Sequence, residues 1–291
     1  MDVVFTLVQN GLLAASIFVL VGLGFFLVFS TRGFFDLSFG VLIPVGGYSV
    51  LAFNLWVKAP LWLSVGGALV CTALLAYAID VGVFQPFRAK RTGALTLLVV
   101  SLGVMTVLQS VLVMLFSSRF QVLPSFIRGV RVVDLGTPFR ISPVQLAMMS
   151  VAVLLVVAFS ALLRFTAFGK ALRAMRDDRQ VAETIGIHTR RITAVAVLLA
   201  GALAGLCGVL IGMDVGIEPT SGFGFLLKGV TAALLGGIES IRGIVVGGLV
   251  LGAVEQVSVW LFPGAWKEAA VFIVLLIVLK ARTSRGMAMT V

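Results

Sequence analysis

Histidine occurs once and cysteine twice in these 291 residues, and charged residues make up only 12% of the chain. Each shortage excludes something. A metal site needs several His, Cys or carboxylate ligands at close spacing. His188, Cys71 and Cys207 lie far apart in sequence, so no metal motif is present. A Ser-His-Asp arrangement lacks a credible histidine, because His188 stands among loop residues. Both cysteines fall inside apolar runs and read as small buried side chains rather than a disulfide. The charged fraction is about half that of ordinary soluble domains, and mean hydropathy is +1.16. A soluble chain of this length needs far more polar surface around its core. Soluble enzymes, disordered chains and coiled coils are therefore excluded. Acid is scarcer than base: 12 Asp and Glu stand against 22 Lys and Arg, a balance of +10. In a soluble protein that excess would point to nucleic acid. In a membrane protein it marks the loops on one side of the bilayer.

What is abundant is uninterrupted apolar sequence. No charged residue occurs over 3–31, 37–57, 59–79, 92–118, 141–163 or 192–213, and each run holds at least 21 residues. A helix of about 20 apolar residues crosses a bilayer core. The runs are continuously apolar rather than alternating, which favours helices over barrel strands. The stretch before the first run carries Asp2 and no Lys or Arg. It lacks the basic n-region of a signal peptide and reads as the start of a retained helix.

The last third differs. Glu218, Lys228, Glu239, Arg242, Glu255, Lys267 and Glu268 interrupt it, leaving apolar pieces at 229–238, 243–254, 256–266 and 269–279. Glycines crowd the same region. Short, glycine-broken segments resemble the discontinuous helices of transporters. GxxxG pairs at Gly243/Gly247 and Gly248/Gly252 equally suit tight helix packing. Glu255 sits amid apolar residues, where an ionisable group faces a cavity or a partner; Lys228 can snorkel to the interface. The basic clusters at 88–91, 164–191 and 280–285 belong in the cytoplasm by the positive-inside rule. That places the N-terminus outside, the C-terminus inside, and requires nine crossings. The expectation is an all-α integral membrane protein: one polytopic helical bundle over 1–291, with about eight or nine transmembrane helices, some broken in the last third. The basic excess is then an orientation signal and not a nucleic-acid footprint.

Between the fifth and sixth runs the chain reads Arg164-Phe-Thr-Ala-Phe-Gly169-Lys-Ala-Leu-Arg173-Ala174-Met-Arg-Asp177-Asp178-Arg-Gln-Val181-Ala182-Glu-Thr-Ile185-Gly186-Ile187. Asp177 or Asp178 can cap a short helix with Val181, Ala182 and Ile185 on its apolar side. Gly186 is placed to end it. Gly169-Lys-Ala-Leu-Arg173-Ala174, then Asp177, Ala182 and Gly186-Ile187, resembles the cytoplasmic coupling segment of ABC-importer permeases for branched-chain amino acids. That group also includes permeases for urea and short amides. Phe84-Gln-Pro86-Phe87-Arg88 followed by Leu97 to Gly103 and Gln109, the small-residue run 200–210, and the glycine-rich block of Lys228 to Gly237 followed by Gly243 to Glu255 are similar to the same family. The chain is most similar to its LivH-type subunit.

The resemblance implies one permease of a pair, working by alternating access. Its partners would be a second, LivM-type permease subunit, two ATPase subunits and a periplasmic solute-binding protein. It assigns ATPase coupling to Gly169, Arg173, Ala174, Asp177, Ala182, Ile185 and Gly186. ATP and magnesium would belong to the ATPases, and this chain, which has no GxxxxGK[ST] stretch, would be no enzyme and hold no cofactor. One departure stands out: Asp36-Leu-Ser38-Phe-Gly40 replaces the family's Asn-Phe-Ala-His-Gly-like stretch. Asp36 and Ser38, with Lys228 and Glu255, are candidates for the translocation path or the permease interface. Asp36 also reads as a loop residue in an exposed pair with Arg32. A stand-alone secondary transporter, lacking any ATPase, is the alternative of another class.

The external segment 117–142 carries Arg119, Arg128, Arg131 and Arg140 against Asp134 alone. Arg128 and Arg131 there suit docking of an acidic binding protein, whose encounter such charge would speed. Arg128→Glu with Arg131→Glu is expected to weaken binding-protein affinity and flatten its salt dependence. Titration across salt concentrations checks this, and unchanged affinity would remove the docking role.

Overall fold

The computed structural model describes residues 2–90, 92–123, 133–134, 140–238, 240–261 and 267–284. Helices carry nearly all of it: α1 (Asp2–Arg32), α2 (Ser38–Ala52), α3 (Leu61–Ile79), α4 (Gln85–Ala89), α5 (Ala94–Phe116), α6 (Pro143–Phe165), α7 (Ala167–Asp177), α8 (Arg179–Thr184), α9 (Thr189–Asp214), α10 (Ser221–Gly236), α11 (Ile241–Leu261) and α12 (Lys267–Ser284). Single π-helical turns at Phe53–Val57 and Asp80–Phe84 follow α2 and α3. Within the 117–142 segment, β1 (Val133–Asp134) and β2 (Arg140–Ile141) pair antiparallel, with Val133 opposite Ile141. The fold is all-α.

Each charge-free run forms a helix, and charge collects at the ends. Among the described residues seven helical segments are long and apolar enough to cross a membrane. The sequence predicts nine crossings; the difference lies in the last third. There α10 has 16 residues, about 24 Å at 1.5 Å per residue, short of a hydrocarbon core of about 30 Å. Glu255 does not break its segment, since α11 runs unbroken through it for 21 residues. The break follows α10 instead, where Gly237 takes φ +100°. Cys207 is buried as expected, but Cys71 on α3 is exposed.

The chain divides into two compact units, one of Met1–Leu23, Gly129–Val156 and Leu227–Val291, the other of Gly24–Arg128 and Val157–Leu226. The second is organised around α2, which is buried along almost its whole length and packs on α3, α5 and α9. A helix covered on every side has no need of an amphipathic pattern, and α2 reads as a uniform apolar run. Small residues set its distance from α9. Gly46 lies against Gly205, and Gly208 against the Ile43 carbonyl, with no room for a Cβ at either. Residues after α5 are tied to the end of α9. Gln121 and Ile217 exchange backbone hydrogen bonds at 3.0 and 2.8 Å, and the Leu123 N–H donates to the Gly212 carbonyl at 2.8 Å. In the first unit Phe18, Ala232, Leu251 and Val271 form the core, and Gly252 of α11 lies against the Gly11 carbonyl of α1.

A side chain at 208 meets backbone, which cannot rotate aside. Gly208→Val is expected to cost about 1–3 kcal/mol or more and to lower the Tm of the protein in detergent. Gly66, with open space around it on α3, is the control: Gly66→Ala should leave the Tm unchanged or raise it. Equal melting of the two variants would reject the close-packing account.

Candidate functional site

The 164–191 segment folds as α7 and α8 between α6 and α9. Thr166, in extended backbone, caps α7: its Oγ1 accepts from the Gly169 N–H at 3.3 Å and donates to the Leu162 carbonyl at 2.5 Å. Gly169 lies against the Leu163 backbone, where a Cβ would collide. The Arg173 guanidinium donates to the Leu163 carbonyl at 2.5 Å, which satisfies an end carbonyl of α6. Ala174 is half-buried, and Asp177 is the exposed last residue of α7. The cap of α8 is Asp178, whose Oδ1 accepts from the Gln180 and Val181 N–H groups at 2.7 and 3.0 Å.

At the other end of α8 the Ile187 N–H donates to the Ala182 carbonyl at 3.0 Å and the Gly186 N–H to the Glu183 carbonyl at 3.1 Å. With Gly186 at φ +88°, this is a Schellman stop. The expected common apolar side divides. Ala182 is buried, while Val181 and Ile185 are 54% and 69% exposed, because consecutive helical positions lie about 100° apart. The exposed pair stands on a helix fixed at both ends. Two further bonds hold it: Arg179 Nη1 to the Thr31 carbonyl at 3.4 Å, and Thr189 Oγ1 to Glu183 Oε1 at 2.6 Å. The Thr189 hydroxyl, helped by Arg179 and opposed by desolvation, holds the Glu183 carboxyl below the usual carboxylate range.

Beside α8 lies a buried ionic network. Arg32, in the last turn of α1, bonds Asp36 and, through Nε, Asp80 Oδ1 at 3.1 Å. Arg88 Nη2 donates to the same Asp80 oxygen at 2.6 Å. Gln85 Nε2 donates to Asp80 Oδ2 at 3.4 Å, and its Oε1 accepts from Arg190 at 2.8 Å. The Ser38 N–H and hydroxyl donate to Asp36 Oδ1 at 2.9 and 2.6 Å. The Arg32 guanidinium lies 4.4 Å from the centre of the Phe84 ring. Asp36, Asp80 and Arg32 are all buried. The sequence expectation of an exposed Arg32–Asp36 pair is thus corrected: the pair forms, but α2, α3 and α9 close over it. Two acids and two arginines balance, so the cluster carries no net charge into the interior. The space between Arg32, Asp36, Ser38 and Gly201 is only about 10 Å³, room for about one water. An open groove of about 690 Å³, lined by Arg88, Arg179, Glu183, Arg190 and Thr193 among others, adjoins the network.

Lys228 and Glu255 meet each other. Lys228 Nζ lies 2.9 Å from Glu255 Oε1, with the side chains 14% and 1% exposed, and 5.8 Å from the centre of the Phe18 ring. Lys228 therefore turns inward to its acid rather than outward as a snorkelling residue. Pairing is how a buried charge is made tolerable. Arg128 and Arg131 lie outside the described residues. Sequence reading missed Asp80, Gln85 and Arg190. The available signal was Asp80 itself, the single acid between Asp36 and Asp134, flanked by apolar residues.

Membrane-length apolar helices, charges neutralised inside the protein and a capped two-helix segment between spans define a polytopic helical membrane protein. Residues 7–279 match the family described as "Branched-chain amino acid transport system / permease component", and the chain belongs to that family of ABC-importer permeases. It is 30% identical to the high-affinity branched-chain amino acid transport system permease protein LivH of Escherichia coli, over 93% of this chain and 91% of that one. It is 28% identical to the corresponding BraD of Pseudomonas aeruginosa, over 94% and 92%. A solved structure, PsaBC from Streptococcus pneumoniae in complex with Fab, shares the fold with a TM-score of 0.51 at 14% identity, covering 93% of this chain and 90% of that one.

Removing Asp80 leaves Arg88 without its carboxylate and the buried Arg32 with Asp36 alone. Asp80→Ala is expected to cost about 3–5 kcal/mol, read as a collapsed Tm and a loss of folded protein in detergent. Glu183→Gln, at the half-exposed Arg179 pair, should change the Tm little. The same small effect for both substitutions would deny the network its structural weight.

Proposed function

We propose that this chain is the permease subunit of an ATP-driven importer of branched-chain or similar hydrophobic amino acids, acting as one membrane domain by alternating access. The observation that carries it is the family match over 7–279; permeases for urea or short amides are less favoured by relatives named for branched-chain transport. The partners are a LivM-type permease, two ATPases and a periplasmic binding protein. ATP and magnesium sit on the ATPases, this chain being no enzyme. The N-terminus lies outside and the C-terminus in the cytoplasm, so that α7 and α8 face the ATPases.

In this reading α8 is the moving contact. Its capped ends make it a rigid lever, and Val181 and Ile185 offer an exposed apolar surface for an ATPase groove. Thrust on α8 passes through Arg179 to the end of α1, and through Thr189 to the start of α9. Gly169, Arg173, Ala174 and Gly186 hold the lever's shape; Asp177 closes α7, and Ala182 seats α8. Asp36 and Ser38 act through the buried network, and Lys228 with Glu255 steadies the other unit.

Deleting 177–185 is expected to uncouple ATP hydrolysis from transport in proteoliposomes containing the whole importer. Val181→Asp with Ile185→Asp, which spares the caps, should do the same in a chain that still folds. Normal substrate-stimulated ATPase activity in the double variant would refute the coupling role. Leucine uptake that survives ATP depletion and follows a proton or sodium gradient would refute the importer assignment.

A further inference from the structure

Five separate segments wall the open groove of about 690 Å³ beside α8: the end of α1, α4, the start of α5, α8 and the start of α9. Three spans end or begin there, at Arg32, Ala94 and Thr189, so the groove lies at the level where lipid headgroups begin. Four guanidiniums, of Arg32, Arg88, Arg179 and Arg190, and one carboxylate, of Glu183, line it among the described residues. Asp36 and Asp80 balance Arg32 and Arg88, and Glu183 balances Arg179. Arg190 is the excess charge. It is exposed, and its Nε and Nη2 donate to a neutral acceptor, Gln85 Oε1, at 3.2 and 2.8 Å.

Two further features suit an anion. Both α5 and α9 begin at the groove, and neither has a side chain capping its first N–H groups. Those orphan donors and the positive helix ends favour negative charge. One turn into α9, Thr193 is 2% exposed and its hydroxyl has no hydrogen-bond partner among the described residues. Thr31, Thr72 and Thr231, also buried, each donate to the carbonyl four residues back. Thr193 does not, and it lines the groove. A buried hydroxyl left unmet is costly, and an acceptor entering the groove would meet it. Guanidiniums and N–H groups match the oxygens of a phosphate, and basic pockets between spans at a membrane surface take phospholipid headgroups. The first turns of α5 also expose Leu95 and Val99, apolar surface for acyl chains.

We infer that this groove binds the phosphate of an anionic phospholipid headgroup, through Arg190, the Thr193 hydroxyl and the open N-terminus of α9. The inference is independent of what the chain transports.

The test titrates the full chain in non-ionic detergent with dihexanoyl phosphatidylglycerol, dihexanoyl phosphatidylcholine and inorganic phosphate, read by Tm shift and native mass spectrometry. Phosphatidylglycerol should bind and raise the Tm, and phosphatidylcholine should bind at least about fivefold more weakly. Arg190→Gln and Thr193→Val should each weaken phosphatidylglycerol binding at least about fivefold. Valine keeps the shape of threonine, and Thr193 has no hydrogen bond to lose, so the lipid-free Tm should not fall. Lys170→Gln, at an exposed cation outside the groove, should leave lipid binding unchanged. Equal losses in all three variants would reduce the effect to general surface charge and overturn the inference. So would inorganic phosphate binding with the same residue dependence while no lipid binds, which puts a free anion in the groove. Variants that bind lipid normally but no longer retain the ATPases in the complete importer would give the groove to a protein partner instead.

Discussion

Asp80 accepts hydrogen bonds from Arg32, Arg88 and Gln85, and the packing of five chain segments around it follows. A carboxylate with no exposed surface is tolerable only when cations and donors surround it. Arg32 brings the end of α1, Arg88 and Gln85 bring α4, and Asp36 with Ser38 bring the start of α2. Gln85 extends the set to Arg190 on α9. The π-helical turn at Asp80–Phe84 places Asp80 and Phe84 together, so that Arg32 meets the carboxylate and the ring at once. Such a cluster adds little net stability over apolar packing. What it supplies is a single register for helices whose surfaces are otherwise interchangeable.

Uniform apolarity makes that register necessary. α2 is buried on all sides, and its contact with α9 is set by glycines that let backbones touch. Apolar and small surfaces slide past one another with little loss, since lipid is as apolar as leucine. Polar anchors at the ends and glycine contacts in the middle therefore divide the task. The Lys228–Glu255 pair does in the first unit what the Asp80 cluster does in the second.

The two short helices between α6 and α9 are built onto this framework. Their caps use only local residues: Thr166 and Asp178 at the starts, Gly186 at the stop. Their attachment uses distant ones, Thr31 through Arg179 and Leu163 through Arg173. Capped at their ends and bonded to the ends of three spans, the pair is held more firmly than a loop would be. Val181 and Ile185 are left outside as an exposed apolar pair on that fixed helix.

Local and compositional features were legible in the chain itself. Charge-free runs of bilayer length yielded the spans, because lipid cannot hydrate a charge. Cap chemistry around 166–187 depends on neighbours within four or five residues, and the family motifs are contiguous. The Arg32–Asp36 pair was legible for the same reason, being four positions apart in sequence. Its burial was not, since α3 and α9 cover it and neither is near in sequence. Asp80 meeting Arg32, Gln85 meeting Arg190 and Lys228 meeting Glu255 are long-range pairings that a one-dimensional pattern does not contain. Nor does it tell the covered side of a charge-free helix from the open one: on α5 Ser101 is buried while Thr106 and Ser110, in the same run, are exposed. Only the packed helices, by choosing which side of α5 turns inward, decided which of these residues face out.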